Sequence, residues 1–218
     1  GRGERMRPLT DRTPKPLLQA GGKALIVWHL ERLAAAGFKE IVINHAHLGS
    51  QIEQALGDGA QWGLHIQYSP EPPGALETAG GIATALPLLG EEPFLVVNGD
   101  VYCDIDFGRF PRLTVGNAHL VMVPNPVHHN SGDFSLDGER VIYADGEQTF
   151  TYSGVAVFAP AFFAKVKPGS IMKLRPLLDA AIAAGTLTGE RHTGRWVDVG
   201  TPQRLAELDQ ELRDAELR

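Results

Sequence analysis

The segment Phe94-Leu95-Val96-Val97-Asn98-Gly99-Asp100 sets four apolar residues directly against a turn and a carboxylate. A short apolar run closed by turn residues reads as a buried strand, and this is the clearest one in the chain. Upstream, Ile26, Leu30 and Leu33 recur at helical spacing over residues 25–36, a pattern that stops at Gly37. Ile41-Val42-Ile43-Asn44 reads as a buried strand, residues 51–56 as a short helix and residues 64–68 as another strand. Residues 78–86 are helical and broken at Pro87. This strand–helix–strand alternation predicts a mostly parallel sheet covered on both faces. Beyond Asp106 the pattern changes. Residues 119–123, 134–136, 141–144 and 152–158 read as strands joined by turns, an antiparallel or mixed portion added to the first half. A helix over 172–184, a strand over 195–199 and a charged helix over 202–217 follow. No repeat, low-complexity tract or linker interrupts the chain, so residues 1–218 read as one two-part domain.

Composition narrows the function classes. A chain of 218 residues with 43% apolar content suits one soluble α/β domain. The net charge of −6 argues against a general nucleic-acid binder. No apolar run reaches the roughly 18 residues of a membrane span, and no basic-then-apolar leader opens the sequence. Cys103 is the single cysteine, which excludes an internal disulfide and a cysteine metal cluster and points to the cytoplasm. A buried, inert Cys103 and a catalytic one are both compatible with the sequence.

Four constellations carry chemistry. Gly1-Arg2-Gly3-Glu4-Arg5-Met6-Arg7 runs on through Thr13-Pro14-Lys15-Pro16. Glycines let backbone N–H groups approach a ligand, and arginine and lysine supply charge-assisted bonds to phosphate. Prolines on both sides of Lys15 restrict its backbone, as a phosphate clamp requires; a solvated basic turn is the plain alternative. Asp100 follows a strand, at the sheet edge where open α/β folds bind ligands, and could hold Mg²⁺ between phosphates. Asp198 in Trp196-Val197-Asp198-Val199-Gly200-Thr201-Pro202 could supply a second carboxylate. Turn or cap aspartates explain both motifs equally well. Finally, Ser69 to Gly81 reads as a rigid, small-residue loop entering a helix. Gly80 and Gly81 early in that helix cost stability, which suggests close packing of a flat group such as a nucleobase; Thr78 reads as an N-cap. The pairs His45/His47 and His128/His129 do not make a metal-ligand pattern.

Taken together and in order, these motifs resemble the sugar-1-phosphate nucleotidyltransferases over nearly the whole chain. Ile43-Asn44-His45-Ala46-His47-Leu48-Gly49 and the opening loop are most similar to the branch that transfers uridylyl to N-acetylmuramate 1-phosphate. The resemblance implies a Rossmann-like mixed sheet of the glycosyltransferase-A type, flanked by helices, with a small antiparallel sugar-binding portion. Residues 1–106 would be mainly nucleotide-binding and 107–218 mainly sugar-binding. It implies that Gly1, Gly3 and Arg5 hold a nucleoside triphosphate, UTP favoured. Lys15, with Arg5, would stabilise charge at the α-phosphate, and Glu71, Glu77, Thr78 and Gly81 would lie at the base. Asp100 and Asp198 would bind Mg²⁺. Asn98, Gly99, Gly132, Asp133, Ser153, Gly154 and Lys173 would lie in the sugar-1-phosphate site. Many relatives carry a Glu-Lys pair where this chain reads Ala144-Asp145-Gly146-Glu147, and Lys173 is the candidate replacement. The implied setting is cell-wall recycling in the cytoplasm, by a monomer or weak homo-oligomer without nucleic-acid or membrane partners.

Other readings stay open at this point. Related guanylyltransferases of mannose 1-phosphate share the skeleton. Asp104-Ile105-Asp106 is an Asp-x-Asp triplet of the kind glycosyltransferases use to hold a nucleotide-sugar through a metal. Some relatives are regulatory sensors, although these tend to lose the lysine or a metal aspartate, both kept here. Family members also carry an apolar strand before the first glycine, and that strand is expected to be missing from this sequence, which starts at Gly1.

Overall fold

The computed structural model describes residues 3–112, 117–144 and 148–217. The short strands β1 (Gln19–Ala20) and β2 (Lys23–Ala24) form a hairpin leading into helix α1 (Leu25–Ala35). Strand β3 (Glu40–His45), helix α2 (Gly49–Leu56) and strand β4 (His65–Pro70) follow. β3 and β4 pair in parallel, from Glu40↔His65 to His45↔Pro70. Parallel strands need a crossover, and α2 supplies it. Next come α3 (Glu77–Leu89), β5 (Phe94–Val97), β6 (Val101–Cys103), β7 (Ala118–Val123), β8 (Phe134–Asp137), β9 (Arg140–Tyr143) and β10 (Thr151–Phe158). The chain closes with α4 (Arg175–Ala183), β11 (Leu187–Arg191), β12 (Trp196–Asp198) and α5 (Pro202–Glu216). None of the described helices is long and apolar enough to cross a membrane.

The chain forms two units. One comprises Gly1–Leu76, Gly99–Arg109 and Val197–Arg218, and the other Glu77–Asn98 and Phe110–Trp196. In the first, Ile26 and Leu30 of α1, Ile52 and Leu56 of α2 and Ile66 of β4 share a core. A second core joins Met6, Leu18, Leu25 and Tyr102 to Val199, Leu205 and Leu208 of the C-terminal segment. The other unit is built on a six-stranded sheet in the order β5-β10-β7-β11-β9-β8. Only β7 and β11 run parallel in it; the remaining pairs are antiparallel. Leu120, Met122, Ala156 and Phe158 of this sheet pack with Ala79, Ile82 and Ala83 of α3. The mixed sheet and its helices match the expected α/β class, but the mostly parallel sheet expected of the first half is not what forms: among the described strands β3 and β4 make a separate parallel pair, while β5 joins the six-stranded sheet antiparallel to β10.

Local features depart from the sequence expectation for identifiable reasons. β5 is half-buried, because among the described strands it pairs on one side only, antiparallel to β10. Helix α3 runs through Pro87 to Leu89. A proline in the last turn removes one ladder bond and ends the helix two residues later instead of breaking it at once. α3 starts at Glu77, so Thr78 lies inside the helix; the amides of Ala79 and Gly80 donate to the Met172 carbonyl at 3.0 and 3.1 Å. That use of Met172 also explains why α4 begins at Arg175 rather than Met172, with Pro176 in its first turn.

Candidate active site

The opening loop is tied to itself before it can meet any ligand. The Gly3 carbonyl accepts from the Met6 amide at 2.9 Å and from the Thr10 hydroxyl at 2.7 Å. Met6 is fully buried, so this turn is anchored in the core while Arg5 stays exposed. Gly1 lies outside the described residues. Pro14 is extended, Lys15 opens a single 3-10 turn, and Leu18 closes the segment in the core. The Lys15 side chain is thereby 13% exposed, and its Nζ donates to Asp100 Oδ2 at 2.6 Å. Gly99, beside Asp100, sits against the Pro16 ring.

Asp100 is placed by the strand it precedes. The buried His29 of α1 lies 2.7 Å, through Nε2, from the Val101 carbonyl. Arg32 donates to the Tyr102 hydroxyl at 3.1 Å, and Trp28 packs edge-on against the Tyr102 ring. β12 pairs with β6, and the Val199 amide donates to the Asp100 carbonyl at 2.9 Å. That register brings the backbone of Asp198 and Asp100 together from positions almost a hundred residues apart. Asp198 accepts from Arg204 Nη1 at 2.6 Å on each of its two oxygens. Lys15, Asp100 and Asp198 thus belong to one unit, with each carboxylate facing a basic side chain.

Glu71 belongs to the same unit. Its Oε1 accepts from Asn44 Nδ2 at 2.7 Å and its Oε2 from the Leu76 amide at 2.8 Å. Both oxygens shape the loop that leads into α3. Glu71, expected at the base, uses both carboxylate oxygens to hold this loop. His47 Nε2 is 3.1 Å from the Thr10 carbonyl, and His45 pairs with Glu53 at 2.7 Å. Asp106 caps its own turn through Gly108 at 2.9 Å. Cys103 is buried, and burial pushes its thiol pKa up, which suits an inert residue. Among the described residues, no group of three or more His, Cys, Asp or Glu side chains is arranged for a metal.

In the other unit, Glu77 and Thr78 are exposed on the first turn of α3 and Gly81 is buried within it. The bonds from Ala79 and Gly80 to Met172 bring exposed Lys173, the next residue, beside that turn. Of the sugar-site candidates, Ser153 and Gly154 lie on β10, where its register with β7 shifts between Tyr152 and Ala156, and Asn98 and Asp133 bond to that strand. Bulges of this sort often re-aim side chains at functional sites. The backbone N–H of Asn98 donates to the Gly154 carbonyl at 2.9 Å. Gly154 has φ +80, and a Cβ there would stand 2.6 Å from Asn98 Nδ2, so only glycine fits. Asp133, next to Gly132, accepts from the Tyr152 amide at 2.8 Å and lies 3.1 Å from His129 Nε2. Ser153 is fully buried; its carbonyl accepts from the Trp196 indole at 2.8 Å and its hydroxyl from the Val155 amide. The Asp145-Gly146-Glu147 variation lies outside the described residues.

Asn44 and Arg204 were not identified by sequence reasoning. Each is a polar residue on an ordinary strand or helix, and the only signal was position: Asn44 stands next to last on β3, and Arg204 follows the Gly200-Thr201-Pro202 turn.

A proline-flanked lysine paired to an aspartate just ahead of a strand, with a second aspartate on the adjoining strand, suits a protein that handles phosphorylated substrates on an α/β scaffold. A family model for nucleotidyl transferases matches residues 1–132, and the chain belongs to that family. It is 56% identical over 95% of its length to an N-acetylmuramate alpha-1-phosphate uridylyltransferase of Neisseria meningitidis serogroup B, covering 93% of that enzyme. It is 34% identical over 99% of its length to an enzyme of the same name from Caulobacter vibrioides, covering 94% of it. Among solved structures, a Bacillus anthracis protein described as a glucose-1-phosphate thymidylyltransferase aligns over 98% of this chain and 92% of its own, with a TM-score of 0.84 at 20% identity. At that identity the likeness concerns the fold.

Proposed function

We propose that this chain transfers a uridylyl group from UTP to N-acetylmuramate 1-phosphate and releases pyrophosphate. The observation that carries the reading is the 56% identity to the meningococcal uridylyltransferase across 95% of the chain. The Lys15–Asp100 pair supports it, because it puts a directed cation beside a carboxylate suited to phosphate chemistry. In the reaction an oxygen of the sugar phosphate attacks the α-phosphorus in line. The new P–O bond forms, the bond to the β-phosphate bridging oxygen breaks, and pyrophosphate leaves with that electron pair. The nucleophile is already an anion, so no side chain has to remove a proton. Positioning and charge neutralisation then do the work. Lys15 addresses the α-phosphate and Arg5 the triphosphate. Glu71 and Asn44 hold the loop entering α3, whose first turn with Glu77, Thr78 and Gly81 receives the base. Asn98, Gly99, Gly132, Asp133, Ser153, Gly154 and Lys173 serve the sugar phosphate, those around the β10 bulge by shaping the backbone.

Asp100 and Asp198 would hold Mg²⁺. The donor set fits: two carboxylates offer the hard oxygens such a cation prefers, and each already attracts a cationic side chain. When bound, the ion would neutralise charge on the reacting phosphates. The reading places the enzyme in cytoplasmic cell-wall recycling as a monomer or weak homo-oligomer. A pyrophosphate-release screen of four NTPs against several sugar 1-phosphates, with Mg²⁺, tests it. UTP with N-acetylmuramate 1-phosphate should be the fastest pair. Faster turnover of GTP with mannose 1-phosphate would overturn the substrate assignment.

A further inference from the structure

Asp198 and Asp100 meet their cations differently. Lys15 touches Asp100 through one oxygen, whereas a single nitrogen of Arg204, Nη1, lies 2.6 Å from both oxygens of Asp198. A cation astride two carboxylate oxygens fills the notch that a bidentate metal ion would take. The guanidinium is built into that place. Its Nε is 3.4 Å from Thr201 Oγ1, and the same hydroxyl caps α5 by accepting the Arg204 amide at 3.3 Å. Gly200 leaves the space it lies in, since a Cβ there would stand 2.6 Å from Arg204 Nη2 and, less tightly, 3.1 Å from Asp198 Oδ2. The two side chains are 19% and 26% exposed, so water screens the pair only in part.

We propose that Arg204 is an internal counter-ion that competes with the divalent cation for Asp198, so that metal binding and displacement of the guanidinium are linked. This rests on the reading of Asp198 as a metal ligand. Two positive charges cannot share one notch without mutual repulsion, and the free energy holding Arg204 in place is subtracted from metal affinity. Removing Arg204 or pushing it aside should therefore tighten metal binding, the reverse of what loss of a supporting residue does.

The test is Mn²⁺ binding to the full chain without nucleotide, read from the electron paramagnetic resonance signal of the free ion. Arg204→Gln removes the charge. Gly200→Ala keeps the charge but displaces the guanidinium, and guards against a folding defect in the first variant; melting temperatures check both. Each should bind Mn²⁺ at least about five-fold more tightly than the parent. Adding Asp198→Asn to Arg204→Gln should abolish that increase. Unchanged or weaker binding in both single variants, with Asp198→Asn alone weakening binding, overturns the counter-ion proposal and leaves the metal reading standing. If Asp198→Asn alone binds Mn²⁺ as the parent does, the metal reading falls and the proposal with it.

Discussion

Lys15 and Asp100 are 85 positions apart in the sequence and 2.6 Å apart in the fold. The lysine reaches its partner because Pro14, Pro16 and buried Leu18 fix the turn it stands on. A directed, partly desolvated ammonium is suited to charge that develops on phosphate oxygens in a transition state. Lys15→Ala should therefore lower the turnover of UTP by about 10²–10³-fold, the usual cost of losing one such donor. Pyrophosphate release measures it, with circular dichroism confirming the fold. Lys15→Arg should rescue little, because a planar fork does not replace a point charge. Residues of this type were legible in the sequence, since a proline-flanked lysine and strand-end aspartates have few ordinary uses in combination. Arg204 and Asn44 were not, because their significance is a partner far away in the chain or across a turn. Glu71 shows an intermediate case: the loop stood out, whereas the direction of its carboxylate depends on the Asn44 and Leu76 contacts.

At the scale of elements, legibility followed hydrophobic pattern. α1, β3, β7 and β10 are apolar runs or stripes and were read with small shifts at their ends. β11 was missed, because Leu187-Thr188-Gly189-Glu190-Arg191 holds one large apolar residue and two charges. It is nevertheless an inner strand, with β7 on one side and β9 on the other. β1, β2 and β6 are two or three residues long and offer no period to detect. Gly189 explains how β11 fits. A Cβ there would lie 2.8 Å from Val141 Cγ2 and 3.1 Å from the Leu120 carbonyl oxygen. A stiff valine and a sheet backbone cannot both retreat. Gly189→Ala should cost about 1–3 kcal/mol by overpacking, offset by ~0.5–1 kcal/mol from the stiffer unfolded chain. A net loss of about 1–2 kcal/mol should appear as a lower urea midpoint. An unchanged midpoint would mean that the strand moves freely against β7 and β9.

At the scale of the whole molecule, one buried imidazole should make folding stability depend on pH. His29 is buried between α1 and β6, and desolvation pulls its pKa from 6.5 to about 4, despite the favourable contact of Nε2 with the Val101 carbonyl. Its Nδ1 has no hydrogen-bond partner among the described residues, so a proton there would gain a charge without an acceptor. The folded state therefore keeps His29 neutral down to about pH 4, while the unfolded chain takes up the proton near pH 6.5. The stability contributed by keeping His29 neutral is fully present above pH 6.5 and is lost as pH drops through the window from 6.5 to 4. At pH 5 the loss from this group should be roughly 2 kcal/mol, at about 1.4 kcal/mol per pH unit. Asp209 acts lower on the scale: bonds from Arg213 and the Gly21 amide hold its carboxyl below the ordinary range, so its contribution is lost only in stronger acid. Comparing pH 7 with pH 5 therefore keeps Asp209 out of the measurement, and the His29→Gln variant separates His29 from the other titrating groups. His29→Gln can keep a donor toward Val101 and cannot take up a proton. Its unfolding free energy, from urea titration, should change between those pH values by about 2 kcal/mol less than that of the parent. If the parent and His29→Gln lose stability equally on acidification, some other group sets the acid response and His29 is protonated in the fold at its ordinary pH.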